Sequence, residues 1–222
     1  MNALIFDIEG TTTDINFVHN TLFPYAKRKI EHFVKDNQND LSKIIDSIKS
    51  NNNVSSLDEV IALLKCWIDE DKKVKELKDI QGLIWKEGYA KGEYTAHLYP
   101  DVLPSFEKWK NSGLDLYIYS SGSIQAQKLL FSHTEHGDIT PLLSGYFDTT
   151  TGAKKEFQSY KNIAKQIGID PKLISFFTDS IDEAHAATDA NFNVFHVNRD
   201  GLYNDSKFIV IETFDEARII NE

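Results

Sequence analysis

Two carboxylates, Asp7 and Glu9, stand two residues apart across Ile8 at the end of a short apolar run, Ala3-Leu4-Ile5-Phe6, and Gly10, Thr11 and Thr12 follow them. A buried strand that stops at a polar loop suits chemistry, because the strand fixes the position of groups that the loop exposes. If the segment stays extended past Asp7, both carboxylates point the same way, one placed to attack an electrophile and the other to move protons. Gly10 supplies the turn, with Thr11 and Thr12 as backbone donors.

Two further strand-like runs end in reactive groups. Residues 114–119 lead into Ser120 and Ser121, and residues 173–178 lead into Asp179. Displacing a phosphate ester requires an in-line nucleophile, a proton donor for the leaving oxygen, and cations that balance the transferring group. Asp7 fits the first role and Glu9 the second. Magnesium prefers oxygen ligands and keeps several waters, so Asp7 and Asp179 with a backbone carbonyl and substrate phosphate are enough to hold it. Ser120 and Ser121 precede a helix capped by Ser123, where a hydroxyl, backbone amides and the helix dipole favour a phosphate oxygen. A lysine completes the clamp, and Lys154 or Lys155, after Gly152, reaches the site from its loop.

The elements that must position these groups show in the hydrophobic pattern. From about residue 22 to 92 the spacing is helical: Leu41, Ile44, Ile45 and Ile48, then Leu57, Val60, Ile61, Leu64, Trp67 and Ile68, then Leu77, Ile80 and Ile84. Ser56 with Glu59 forms a capping box. After Pro100, strand and helix alternate: an amphipathic segment to Gly113, strand 114–119, helix 124–131, helix near 161–167, strands 173–178, 192–197 and 208–211, and a last helix capped by Thr213 and Glu216. Such alternation specifies an α/β, Rossmann-like parallel sheet with helices on both faces and ligands beyond the carboxyl ends of its strands. The predicted organisation is a catalytic core of residues 1–15 and 98–222 with an all-helical cap, residues 16–97, inserted between hinge-like connections.

Composition narrows the partners. A chain of 222 residues with 41% hydrophobic content buries one full core and spares a smaller unit. A formal net charge of −10 excludes a mainly electrostatic hold on nucleic acid or an anionic membrane, which leaves a small phosphate-bearing molecule. The lone Cys66 permits neither an intrachain disulfide nor a multi-cysteine zinc site. With neither a basic leader nor a long apolar stretch, the expectation is a soluble cytoplasmic protein, and separately a monomer.

At these residues the chain resembles the haloacid dehalogenase superfamily, whose motifs are Asp-x-Asp-Gly-Thr, a strand-terminal Ser or Thr, a lysine, and an acidic pair, in that order. Glu9 stands where most members carry Asp. With Asp7-Ile8-Glu9-Gly10-Thr11-Thr12-Thr13, the chain is similar to the enolase-phosphatase branch of methionine salvage. Other strings similar to that branch are Leu22-Phe23-Pro24-Tyr25, Tyr117 through Ser123, Ala126 through Phe131, Gly152-Ala153-Lys154 with Ser159-Tyr160, and Phe177-Thr178-Asp179 through Glu183-Ala184. The resemblance implies Asp7 as nucleophile and magnesium ligand, Glu9 as acid/base with its carbonyl on one Mg2+ per subunit, and Asp179 as the other ligand. It also implies Ser120, Ser121 and Lys154 as substrate binders and Glu183 as support for the metal's water shell. The implied reaction enolises 2,3-diketo-5-methylthiopentyl-1-phosphate and then removes its phosphate to give an acireductone.

Each motif alone has a plainer reading: a loop acid beside a turn glycine, a helix cap at Ser120–Ser123, a helix start at Asp179–Glu183, a solvated lysine. Their order at successive strand ends is what favours a site. His133 and His136 read as a polar helix end, and Trp67, Trp85 and Trp109 as packing. Phe17 and Phe23 are placed where a cap residue would touch substrate. Three rival functions remain: a general sugar-phosphate phosphatase, a metal-independent dehalogenase, and a non-catalytic phosphate-binding regulator.

Overall fold

The computed structural model describes residues 2–201 and 207–219, and the chain divides into two units, Asn16–Thr95 and Met1–Ile15 with Ala96–Glu222. The first is helical: α1 (Phe23–Asp36), α2 (Ser42–Asn52), α3 (Leu57–Asp69) and α4 (Lys75–Ala90), with a π-type turn at Val18–Leu22. Each helix turns one apolar stripe inward, and Ile30, Val34, Ile48, Val60, Leu64, Trp67, Leu77 and Ile80 form one buried core. The α3 capping box closes in both directions. Glu59 N–H donates to Ser56 Oγ at 3.2 Å, and Ser56 N–H donates to Glu59 Oε2 at 2.9 Å.

In the second unit, Ala3–Phe6 (β1) carries no polar side chain and is stable only with both faces covered. It pairs in parallel with β2 (Asp115–Tyr119) through Ala3↔Asp115 and with β4 (Ile174–Thr178) through Ala3↔Ile174. Gly145–Phe147 (β3), Asn193–Val197 (β5) and Ile209–Ile211 (β6) complete the order β3-β2-β1-β4-β5-β6 among the described residues. This is a doubly wound, Rossmann-like sheet. Its helices are α5 (Val102–Asn111), α6 (Ile124–Ser132), α7 (Phe157–Ile167) and α8 (Ile181–Asp189).

The period of two along each strand sorts side chains between the faces. Phe6 and Phe177 stack at 4.8 Å among Phe106, Trp109 and Phe214, while Ile5 and Phe176 join Tyr119, Tyr160 and Phe192 on the opposite side. Each buried ring contributes roughly 1.5–3 kcal/mol, so adjacent strands are locked in register and their carboxyl ends are held level.

The structure departs from the sequence reading at two places. β3 was not foreseen, because three residues carry no readable alternation. The Thr213–Glu216 capping box forms, but only a 3-10 turn, Phe214–Glu216, follows it, since Ala217 is already extended and so short a segment cannot offset helix nucleation. Past Asp7, whose amide still donates to Phe177 O at 2.9 Å, the loop turns at Gly10, at φ +71°.

Candidate active site

Strand order reverses direction between β1 and β4, where a crevice opens beyond the carboxyl ends of a doubly wound sheet. Asp7 follows β1 and Asp179 follows β4, one residue past each strand. The loop between Asp7 and Thr13 is held mainly by itself. Thr11, Thr12 and Thr13 donate their amides to the Ile8 carbonyl at 3.2, 2.9 and 3.0 Å, and Gly10 N–H donates to Thr13 O at 2.8 Å. These amides are therefore not the phosphate donors that the sequence suggested.

The three threonine hydroxyls work in three directions. Thr11 Oγ1 accepts the Asp179 amide at 3.0 Å, Thr12 Oγ1 donates to the Asp7 carbonyl at 3.1 Å, and Thr13 Oγ1 donates to the His97 carbonyl at 2.6 Å. Gly10 must be glycine for a further reason: a Cβ there would lie 2.2 Å from Asp179 Oδ2.

The lysine ambiguity has a geometric answer. Lys154 Nζ, buried, donates to Asp7 Oδ1 and lies 2.7 Å from Glu183 Oε2, whereas Lys155 pairs with Asp182 at 2.7 Å on the exposed side. Tyr160 OH donates to the Lys154 carbonyl at 2.6 Å, Tyr119 OH to Gly152 O at 2.9 Å, and Ser159 Oγ to Ala153 O at 2.7 Å, so the lysine loop is pinned along its length. Asp7 Oδ1 also accepts the Ile8 amide at 2.8 Å, which sets the carboxylate plane. Glu183 Oε2 accepts from Thr178 Oγ1 at 3.0 Å as well as from Lys154.

Ser120 is buried where β2 ends; its amide donates to Phe147 O at 3.2 Å and its hydroxyl accepts from Gly122 N–H at 3.1 Å, so its O–H is the group it offers. Ser121 and Glu9 are half-buried beside it and on the Asp7 loop respectively. Ser123 caps α6 by accepting from Ala126 N–H at 3.2 Å. Sequence reasoning passed over Thr178, which lies inside an apolar strand with nothing to distinguish its hydroxyl, and Asp148, which accepts from the α6 amide of Ile124 at 3.3 Å.

Two buried carboxylates, Asp7 and Glu183, hold one buried ammonium, and Asp179, whose side chain reaches solvent, adds a third negative charge beside them. Burial pushes Asp179 up to about 7, with the Asp7 charge second, and the same two causes raise Glu183 to about 7. Burial pulls Lys154 down, but the charges of Asp7 and Glu183 outweigh it and hold the ammonium above its ordinary value. The site is short of positive charge. Among the described residues no three His, Cys, Asp or Glu side chains gather closely enough to cage a metal unaided. Asp7 and Asp179 as an all-oxygen pair with excess negative charge nonetheless fit a hard divalent cation that completes its shell with carbonyl and water.

A linkage follows. Carboxyls whose folded pKa is raised stabilise the fold fully below their unfolded values, near 4, and that contribution is lost as pH rises through about 7. In EDTA, Tm measured by scanning fluorimetry is expected to fall between pH 5 and pH 8, and millimolar Mg2+ should reduce the fall. A flat profile in EDTA would contradict the charge excess.

A parallel sheet with an aspartate loop after its first strand, a serine after the second, a buried lysine and a late acidic pair defines a phosphoryl-transfer hydrolase scaffold. The chain belongs to the haloacid dehalogenase-like hydrolases, whose family model matches residues 1–191. Within them its relatives are enolase-phosphatases: it is 50% identical to enolase-phosphatase E1 of Sulfurihydrogenibium sp. (strain YO3AOP1), covering 99% of this chain and 98% of the relative. It is 47% identical to enolase-phosphatase E1 of Klebsiella oxytoca, covering 97% and 96%. Among solved structures it is similar to the UTR4 protein of Saccharomyces cerevisiae, with TM-score 0.83, 31% identity and coverage of 97% and 99%. CbbY from Rhodobacter sphaeroides in complex with phosphate, at TM-score 0.62 and 14% identity, shares the fold.

Proposed function

We propose that this chain is a bifunctional enolase-phosphatase that converts 2,3-diketo-5-methylthiopentyl-1-phosphate to an acireductone and phosphate in methionine salvage. The observation that carries the site assignment is the buried Lys154 bound to Asp7 and Glu183 beside Asp179, beyond the ends of β1 and β4.

Asp7 attacks phosphorus, the ester oxygen leaves with a proton from Glu9, and water delivered to the aspartyl-phosphate releases inorganic phosphate and regenerates the carboxylate. Lys154 orients Asp7 and balances charge that gathers on the transferring group. Ser120 and Ser121 bind the phosphate. One Mg2+ per chain would be held by Asp7, Asp179 and the Glu9 carbonyl; when bound, it supplies positive charge beside the phosphoryl and carbonyl oxygens. Glu183 steadies that set through Lys154 and Thr178. The absence among the described residues of a helix long and apolar enough to cross a membrane is compatible with a cytoplasmic setting, and a monomer is the simplest state.

Enolisation precedes phosphate release, and Glu9 moves the proton from the carbon next to a carbonyl, its extra methylene giving reach that aspartate lacks. Glu9→Gln is expected to slow the rise of enol absorbance by roughly 10²-fold or more, the usual worth of a positioned acid/base. Near-parental enol formation in that protein would remove Glu9 from this role. The same stopped-flow assay separates the general phosphatase reading, which predicts phosphate release from many simple esters with no enol signal.

A further inference from the structure

Arg199 lies beyond β5, in none of the motifs above, yet its guanidinium is among the most heavily engaged groups described. Nε and Nη2 both donate to the Thr11 carbonyl, at 3.1 and 2.6 Å. Nη1 donates to Asp101 Oδ1 and Oδ2 at 2.9 and 2.8 Å and to the Glu212 carbonyl at 3.0 Å. The plane is sandwiched, with its central carbon 4.3 Å from the Tyr99 ring and 4.8 Å from the Phe214 ring. Asp101 is tied in turn by the Phe214 amide at 2.6 Å, and the paired side chains are 8% and 9% exposed.

Stability alone is a poor account of such a pair, since buried ion pairs are often replaceable by apolar residues at no loss. Its placement gives a better one. Thr11 is the one residue in the Asp7 loop whose hydroxyl holds Asp179, by accepting the Asp179 amide at 3.0 Å. Arg199 thus grips the carbonyl of the residue whose side chain sets the spacing between the β1 loop and the β4 end. Only a planar fork can place two donors on one carbonyl while bridging a carboxylate.

We infer that Arg199 is a positioning residue that, through Thr11, holds the Asp7 loop at the distance from Asp179 needed to bind the divalent cation. This rests on the metal reading of the site given above. Loss of a group that orients metal ligands typically weakens the metal by about 10–100-fold.

The test is calorimetric titration of the full chain with Mg2+ in the absence of substrate, beside the Mg2+ dependence of turnover. Arg199→Met is expected to raise the Mg2+ dissociation constant and the half-activating concentration together, by about 10–100-fold, with kcat largely restored and substrate KM unchanged at saturating Mg2+. Arg199→Lys keeps the charge facing Asp101 but not the fork and should show the same direction of change, which decides the matter if the methionine protein does not fold. Thr11→Val, which keeps the gripped carbonyl but removes the hydroxyl that receives Asp179, should weaken Mg2+ likewise and tests the relay without touching Arg199. Parental Mg2+ affinity in the folded variants, even with lowered Tm, would make Arg199 merely structural and overturn the inference. A parent chain that binds no Mg2+ would instead bring down the metal reading, and this inference with it.

Discussion

Asp7→Asn is expected to abolish phosphate release, by roughly 10⁴-fold or more, because an amide cannot form the acyl phosphate. The substitution is nearly isosteric. The side-chain oxygen of Asn still accepts the Ile8 amide, as Asp7 Oδ1 does at 2.8 Å. It also removes one of three carboxylates that share a single ammonium, and the Asp7 charge is one of the causes that raise Asp179 and Glu183. Loss of activity should therefore come without loss of stability: in EDTA at pH 8 the variant's Tm is expected to equal or exceed the parent's. Malachite-green assay of phosphate and scanning fluorimetry suffice. Phosphate release above about 1% of the parental rate, a loss of only two decades against the four expected of a missing nucleophile, would show that Asp7 is not the nucleophile.

Lys154→Met has the opposite profile. The ammonium is shared between Asp7 and Glu183, and all three side chains are largely shielded from water. Taking it away leaves two buried carboxylates facing each other, and unpairing a buried charge costs about 3–5 kcal/mol. Urea unfolding should show a lowered midpoint with little change in slope, and activity should fall with it. Adding Glu183→Gln removes one of the stranded charges. The double variant is expected to regain most of the lost stability but none of the activity, since Lys154 is still missing from Asp7. Equal stability of single and double variants would mean that Glu183 carries no charge in the fold. Together the two experiments separate what the cluster does for chemistry from what it does for folding.

The fold was legible because its signals are one-dimensional. Ala3–Phe6 is an apolar run and Ile174–Thr178 a mostly apolar one, each followed by an acid, and such a run bounded by a polar loop reads as a buried strand wherever it occurs. Helical periodicity marked α3 and α4 in the same way. What the sequence could not carry was direction within loops. Lys154 and Lys155 are neighbours in a segment without periodicity, and only the folded chain separates them, one on Asp7 and the other on Asp182. The turn at Gly10 gives the Thr11, Thr12 and Thr13 amides to Ile8 instead of to a ligand, an outcome that residue type alone does not show. Thr178 and Arg199 were invisible for another reason. Arg199 acts on partners far away along the chain, Thr178 on Glu183 five residues on as well as on distant Asp7, and neither sits in a pattern that residue type or spacing distinguishes.

That distance has a consequence for how the protein comes into being. Thr178 and Asp7 approach across a sequence separation of 171, the Asp179 amide reaches Thr11 across 168, and Arg199 reaches Thr11 across 188. β1 is synthesised before its neighbour β4, with the helical unit and β2 and β3 between them, so the sheet's central strand waits with one edge unpaired. Contacts of such long range form late and slowly. The Asp7 carboxylate is thus made well before its acidic partner Asp179, and a nascent chain halted before β4 carries the proposed nucleophile without a site.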